Sequence, residues 1–495
     1  MTLRPTYTHP RAREYRAPGG PWDIPSLDAL ITRAAAGARR ELLVDDTAGV
    51  RVDGPELEAR VAALAGGLRA TGVRRRDVVA WQTPNWHEAV LLYRACWRLG
   101  AIAGPIHHQA GPADVDRMLA ALDPRLWLAP EDIRGPSATL PKLLEGQPVT
   151  RSAARASDLA VVLFTSGSTG GPKAALHTQR GLAFKAGMMA AAHRLTPDDA
   201  ILMPAPLAHV SGLLNAVLVP GVVPIKTVLM ARWDPEAALT VAADEPITFM
   251  IGPPTFFVSL MDAPDFAPSR VEHLRLVSSG GAGVTPAFVK RASATLGCRV
   301  KRTYGSTEAP TVTTSTPADS EERARQTDGR ATSPYLDMRV DTHGELLLRG
   351  PELFVGYADP EQTREAISRG WFRTGDLATI DDDGWLTIVG RIKDVIIRGG
   401  ENISAAEVEG VLEAHPAVRQ AVAVGYPDER LGERLCAFVV AGAPFDLEEC
   451  GRWFEQQGVA RFKTPERVVC LPELPVLAAG KPDRAALAAR AATLA

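Results

Sequence analysis

The strongest chemical signal in the sequence is Leu163-Phe-Thr-Ser-Gly-Ser-Thr-Gly-Gly-Pro-Lys173, where an apolar run opens into small and hydroxyl residues and ends on a lysine. Glycines let backbone N–H groups converge on an anion, hydroxyls add donors and an ammonium adds charge, so the stretch predicts a phosphate cradle. It is not the G-x-x-x-x-G-K-[ST] loop, because Pro172 precedes Lys173 and Ala174 follows it. A second cluster, Thr303-Tyr-Gly-Ser-Thr-Glu308, closes an expected strand with an aromatic ring, a hydroxyl and a carboxylate. Tyr304 suits stacking on a purine, Thr307 a phosphate contact, and Glu308 a Mg²⁺ ion, which commonly takes one or two protein carboxylates beside phosphate oxygens.

Further along stand Gly370-Trp-Phe-Arg-Thr-Gly-Asp376, Gly390-Arg-Ile-Lys-Asp394, Arg398-Gly-Gly-Glu-Asn-Ile-Ser404 and Ala479-Gly-Lys481. Asp376, placed at a Thr-Gly turn, can accept both hydroxyls of a ribose, as acidic residues do in dinucleotide sites. Arg391 can add a charged donor to the same sugar or phosphate. The run Asp381–Asp383 reads instead as a solvated hairpin turn, and Lys481, taken alone, as a solvated tip.

These segments in this order resemble the adenylate-forming superfamily, which includes acyl-CoA synthetases, carrier-loading adenylation domains and firefly-type luciferases. The resemblance runs from about Pro25 to the C-terminus. It implies that a carboxylic acid attacks the α-phosphorus of ATP, giving acyl-AMP and pyrophosphate, and that a thiol or amine then displaces AMP. It implies that Thr165, Ser166, Gly167, Ser168, Thr169, Gly170 and Lys173 cradle the β- and γ-phosphates, with Thr165 and Glu308 on the Mg²⁺ ion. Tyr304, Gly305, Gly281 and Ala282 would line the adenine, Thr307 would contact the α-phosphate, and Asp376 with Arg391 would hold the ribose. Lys481 would bridge the acid and the α-phosphate. Asp394 would be the hinge of a mobile C-terminal domain, which would bring Arg398, Gly399, Gly400 and Glu401 to the pantetheine of CoA in a second pose.

For the acid, Pro206-Leu-Ala-His-Val-Ser-Gly212 resembles the segment where many acyl-CoA synthetases place an aromatic residue and then a histidine. Here the aromatic position is Ala208, and His209 and Ser211 join Gly280 and Gly281 as expected substrate contacts. Carrier-loading domains for α-amino acids place an aspartate where His209 stands. An unpaired ammonium in a closed pocket is costly, so His209 argues for an acid without an α-amino group. The small Gly280–Gly283 stretch leaves room for a ring or a medium chain. Together with Cys96-Trp-Arg-Leu-Gly and Gly104-Pro-Ile-His-His108, it resembles bacterial medium-chain, cyclohexanecarboxylate or aryl acid CoA ligases. Transfer to an amine or a carrier protein uses the same adenylation residues and stays open. An idle nucleotide-binding relative is disfavoured by intact Lys173, Glu308, Asp376 and Lys481. The substrates expected are ATP, Mg²⁺, a small carboxylic acid and CoA, in a monomer or homodimer.

The elements that must position these residues follow from periodicity. Leu57, Val61, Leu64 and Leu68 recur at helical spacing over Glu56–Thr71, and a second helix is expected over Trp86–Leu99. Between and after them lie strand-like runs at Asp77–Trp81, Ala101–Ile106 and Ala160–Phe164, an alternation that predicts parallel α/β sheets. Further strands are expected at Ile247–Ile251, Leu274–Ser278 and Val300–Thr303. After Tyr304, short strands between Gly, Asp and Pro turns predict a β-rich, barrel-like subdomain to residue 393. A small mobile α+β domain is expected over 394–495, with helices Ala405–Glu413 and Leu447–Gln457.

Composition narrows the rest. The chain has 495 residues, 46% hydrophobic and 23% charged, with a formal net charge of −3. That excludes a largely disordered chain and any global basic excess inviting nucleic acid. The longest apolar stretch, Leu213–Ile225, is broken by Pro220, Gly221 and Pro224, so no membrane span is expected. Met1–Gly20 is rich in Arg and Pro and reads as no secretory signal. Five unpaired-looking cysteines fit a reducing cytoplasm. The nine lysines stand against 46 arginines, a skew that reads chiefly as a bias toward Arg codons and secondarily as a marker of places where a compact ammonium is needed.

Overall fold

A computed structural model describes residues 3–165, 172–477 and 480–494. Four sheets carry the architecture, a mixed α/β arrangement in which the first two sheets are mostly parallel. In the smaller of these, strands Leu126–Leu128, Val78–Thr83, Ile102–His107 and Leu159–Thr165 run parallel, and Lys173–Thr178 closes one edge antiparallel to Leu159–Thr165. In the nine-stranded sheet, Arg299–Tyr304, Leu276–Ser279, Phe249–Gly252, Ala200–Met203, Lys226–Leu229 and Glu41–Asp45 are consecutive parallel neighbours. Ala200–Met203 and Phe249–Gly252 are apolar throughout, as strands covered on both faces require. No helix among the described residues is long and apolar enough to cross a membrane. The Leu213–Ile225 stretch is instead a chain of short buried helical turns, with a π-turn at Leu214–Leu218.

The β-rich unit after Tyr304 is a five-stranded antiparallel sheet whose pairing runs as an open path. Its central strand, Trp371–Ile380, corrects one expectation. Asp376 lies within this strand and not at a turn. Gly375 (φ +72°) bends the strand locally while the pairing continues, so that Asp376 faces Arg391 across the ladder. Asp381–Asp383 is the exposed turn expected, closed by the Trp385 carbonyl and paired with Arg323. A fourth sheet begins at Val395 and carries helices Ala405–Glu413 and Leu447–Gln456 on it.

Two devices hold the large unit together. The first is the helix His87–Leu99, buried on every face. It ends at Gly100, whose φ of +67° supplies the left-handed cap. Its arginines cannot reach water. Arg98 donates through Nε to both oxygens of Asp28 at 3.0 Å and through Nη2 to Glu58 at 2.7 Å, and Arg94 pairs with the same Glu58. The second is the N-terminal segment. Thr6 and Tyr7 donate their N–H groups to Val355 O, Tyr7 Oη reaches Gly370 O, and Trp22 Nε1 donates to Pro351 O at 3.0 Å. His9, Tyr15, Trp22 and Tyr335 form an aromatic cluster, and Arg180 lies 3.9 Å over Trp22. The first twenty residues thus strap the β-rich sheet to the α/β body.

Removing one partner of a buried ion pair strands the other charge and typically costs about 3–5 kcal/mol. Asp28→Ala should therefore lower stability by about that amount, read as a fall in denaturant midpoint. A change smaller than about 1 kcal/mol would show that Glu58 alone compensates Arg98.

Candidate active site

In open α/β sheets, ligands lie beyond the carboxyl ends of the parallel strands. Of those ends, His107, Thr165, Met203, Ser279 and Tyr304 each lead into a segment picked out by its chemistry. Tyr304 ends its strand with Oη donating to Asp376 Oδ2 at 2.6 Å. Arg391 donates from Nε to Asp376 Oδ1 at 2.7 Å, so one buried carboxylate joins two residues 72 and 15 positions away. Burial and the Asp376 carboxylate together push the Tyr304 hydroxyl well above its ordinary pKa, which keeps it a donor. Gly280 cannot be replaced without movement, because a Cβ there would stand 2.4 Å from Thr303 O. Gly305 is equally constrained against Thr311 N at 2.3 Å.

On the opposite wall, Glu308 Oε1 accepts from Tyr357 Oη at 2.6 Å, and His177 Nε2 meets the Thr307 carbonyl at 2.8 Å. Thr165 and Lys173 face each other across the antiparallel pair that flanks the predicted phosphate loop. Lys173 Nζ stands 5.5 Å from the Tyr357 ring centre. Ser166, Gly167, Ser168, Thr169 and Gly170 lie outside the described residues.

The C-terminal unit contributes Lys481. The Gly480 carbonyl accepts from Thr255 Oγ1 at 2.5 Å, and Gly480 packs on Phe256, which stacks with Trp233 at 4.7 Å. Lys481 then lies along Gly281: a Cβ at that glycine (φ +80°) would stand 3.3 Å from Lys481 Cε and 3.8 Å from Nζ. Its side chain still touches solvent in the mouth of the cleft. Even so, its pKa is lowered to about 8, first by the surrounding protein and next by Arg391, against the opposing pull of Asp376 and Glu308. Polar contacts anchoring this unit on the large one include Thr285 Oγ1 to Glu413 at 2.7 Å and Arg419 to Asp262 at 3.4 Å.

His209 precedes a short helix, Val210–Leu213, that carries Ser211. Its ring centre is 5.0 Å from that of His107, which stacks on His108 at 4.5 Å. Burial, then the charge of Lys481, lowers His209 to about 4, and burial lowers His107 to about 3 and His108 in the same direction. The three imidazoles are therefore neutral near pH 7. His107 Nδ1 accepts from Gln109 N at 3.0 Å, which leaves Nε2 bearing the proton, buried and without a partner.

The structure thus brings together Thr165, Lys173, Gly280, Gly281, Ala282, Tyr304, Gly305, Thr307, Glu308, Asp376, Arg391 and Lys481 at the strand ends and the loops that follow them, with His209 within the field of Lys481. It does not bring in the Arg398–Glu401 hairpin. Arg398 pairs with Glu466 and Gly399 N donates to Leu431 O, both within the C-terminal unit. Asp394 ends a 3₁₀ turn with Arg484 at 3.9 Å. Sequence reasoning missed Tyr357, His177 and Thr255. Tyr357 sits in a Gly-Tyr-Ala-Asp-Pro stretch that signals only a turn, and its partner Glu308 is 49 positions away. A cavity of about 980 Å³ between helix Gln179–Ala192 and the antiparallel sheet contains none of these residues. Another buried cluster, Asp45, His87 and Glu88, has the composition of a metal site, but Arg134 fills it.

Comparison with known proteins shows the family. The family described as AMP-binding enzyme matches residues 31–358, and the AMP-binding enzyme C-terminal domain matches residues 407–481. The chain is 32% identical to the medium-chain fatty-acid–CoA ligase of Escherichia coli strain K12, covering 97% of this chain and 93% of that protein. It is 33% identical to a feruloyl-CoA synthase of an Amycolatopsis species, covering 86% and 91%. Among solved structures, ATP-bound MatB from Rhodopseudomonas palustris superposes with a TM-score of 0.85 at 28% identity, over 94% of this chain and 99% of that one.

Proposed function

The chain belongs to the AMP-binding enzyme family, and from that premise we propose that it is an AMP-forming carboxylic acid:CoA ligase. The observation that carries the reading is Lys481 lying against Gly281, within electrostatic reach of Arg391, Asp376 and Glu308. Both reactants of the first step, a carboxylate and a triphosphate, are anions. Their approach needs positive charge aimed where charge develops. A compact ammonium can touch oxygens of two different groups at once, whereas a planar guanidinium demands a wider, flatter gap.

In the first half-reaction, the substrate carboxylate attacks the α-phosphorus and pyrophosphate leaves. Tyr304 stacks on adenine with Gly281, Ala282 and Gly305 beside it. Asp376 and Arg391 take the ribose, and Thr307 the α-phosphate. Thr165, Lys173 and the Ser166–Gly170 loop hold the β- and γ-phosphates. Glu308 and Thr165 supply hard oxygens of the kind Mg²⁺ takes, and the ion when bound screens the phosphate charge. In the second half-reaction, the CoA thiolate attacks the acyl carbonyl and AMP leaves. For that step, residues 394–495 turn about Asp394 and bring Arg398, Gly399, Gly400 and Glu401 to the pantetheine. Closure about a few loop residues is a common design, and the few polar contacts anchoring Lys481 and Glu413 are of a kind that can break and re-form.

The acid is a medium-chain, alicyclic or aryl acid without an α-amino group. His107, His108 and His209 are neutral, and among the described residues no carboxylate is a cause of their shifts, so an ammonium there would go unpaired. Gly280–Gly283 adds little bulk, and the relatives named above are a medium-chain fatty-acid ligase and a feruloyl-CoA synthase.

AMP release over a panel of such acids should require CoA and yield a thioester; an amide formed equally well without CoA would overturn the reading. Lys481→Ala should lower acid-dependent ATP–pyrophosphate exchange by roughly 10²–10³-fold, while thiolysis of added acyl-AMP persists. The pKa of Lys481 is depressed, so its ammonium is present below about pH 8 and lost above it. The kcat/KM of adenylation should therefore fall on a limb near pH 8, and a rate flat to pH 10 would remove Lys481 from the step. Asp394→Pro, which fixes φ, should slow thioester formation more than adenylation; equal loss of both would exclude a hinge there.

A further inference from the structure

Tyr357 belongs to none of the motifs that carry the function, yet it touches two of them. Its hydroxyl donates to Glu308 Oε1 at 2.6 Å, and Lys173 Nζ lies 5.5 Å from its ring centre. The side chain is 4% exposed and packs edge-on against Phe354 at 4.9 Å. Its backbone is fixed from three directions. Segment 355–358 lies alongside the Lys173–Thr178 strand through Val355 N to Leu176 O, Leu176 N to Gly356 O and Ala358 N to Ala174 O, at 2.8, 2.9 and 2.8 Å. Tyr357 N donates to Thr363 Oγ1 at 2.8 Å. Thr6 of the N-terminal strap donates its hydroxyl to Tyr357 O at 2.7 Å.

A phenol held this firmly determines which oxygen of Glu308 is free. The hydroxyl donates to Oε1, one of the two carboxylate oxygens. With Oε1 engaged, Oε2 is the oxygen left to face a cation. The same ring sits under the ammonium at the end of the phosphate-loop strand, so one side chain sets the spacing between an anionic and a cationic contact for a triphosphate.

We propose that Tyr357 is a positioning residue for magnesium-bound ATP: it orients the Glu308 carboxylate toward the cation and fixes its distance from Lys173. The inference rests on the ligase reading in assigning Glu308 to the metal. It predicts a defect confined to the metal and the outer phosphates. AMP lacks the β- and γ-phosphates, so its binding does not depend on this spacing.

The test compares wild type with Tyr357→Phe, which keeps the ring under Lys173 and against Phe354 and removes only the hydroxyl. Calorimetry would measure ATP binding across a Mg²⁺ titration, AMP binding without metal, and the melting temperature of the free protein. Loss of a hydrogen bond to a charged group corresponds to about ten-fold or more, so the Mg²⁺ needed for half-maximal ATP binding should rise by about that factor. AMP affinity should change less than about two-fold on the same argument. An unchanged Mg²⁺ requirement with ATP still bound overturns the positioning role and leaves the ligase reading standing. Loss of AMP binding in parallel with ATP, or a collapse in melting temperature, makes the residue merely structural and also overturns it. A wild-type chain that binds no ATP at any Mg²⁺ concentration overturns both.

Discussion

The Asp376 carboxylate is the interaction on which the site depends. It accepts from Tyr304, at the end of the nine-stranded sheet, and from Arg391, on the last strand before the C-terminal sheet. Two separate sheets therefore meet on one buried anion. Gly375 makes this possible, because its positive φ turns the next side chain inward without ending the strand. The arrangement has the character of a preorganised site: the acceptor is oriented by neighbours already in place, and little reorganisation remains for the ribose proposed to bind there.

Much of the fold was legible because buried parallel strands and long amphipathic helices announce themselves locally. The helix expected over Trp86–Leu99 is found at His87–Leu99, and the strand expected over Ala160–Phe164 at Leu159–Thr165. The β-rich part was less legible. Trp371–Ile380 is a ten-residue strand, yet its Arg-Thr-Gly-Asp core reads as a turn, since Gly and Asp are depleted from strands and the bulge that admits them is set by the partner strands. The first twenty residues gave no sign of docking, because their partners lie more than three hundred positions away.

The chemistry was legible where a motif is contiguous and silent where it is assembled. Tyr304, Glu308, Asp376 and Lys481 stand inside local patterns. Tyr357, Thr255 and His177 act through partners from distant strands. The scarcity of lysine proved a mixed guide. Lys173 and Lys481 border the cleft, but Lys185 and Lys301 are wholly buried and spend their protons on Thr332 Oγ1 and Ser315 O. A compact ammonium fits a tight internal space as readily as a reactive one.

The N-terminal strap carries a consequence for biosynthesis. Residues 3–22 are translated before the rest of the described chain, but the carbonyls of Val355 and Gly370 that receive Thr6, Tyr7 and the Tyr7 hydroxyl exist only after some 350 further residues have been made. At about 5–20 residues per second, that is a wait on the order of tens of seconds, during which Thr6 and Tyr7 lack the carbonyls that receive them. Folding of the β-rich sheet is thus tied to a segment already old by the time its seat is translated. A fusion partner placed ahead of Leu3 would act on the closing step of assembly rather than on the opening one.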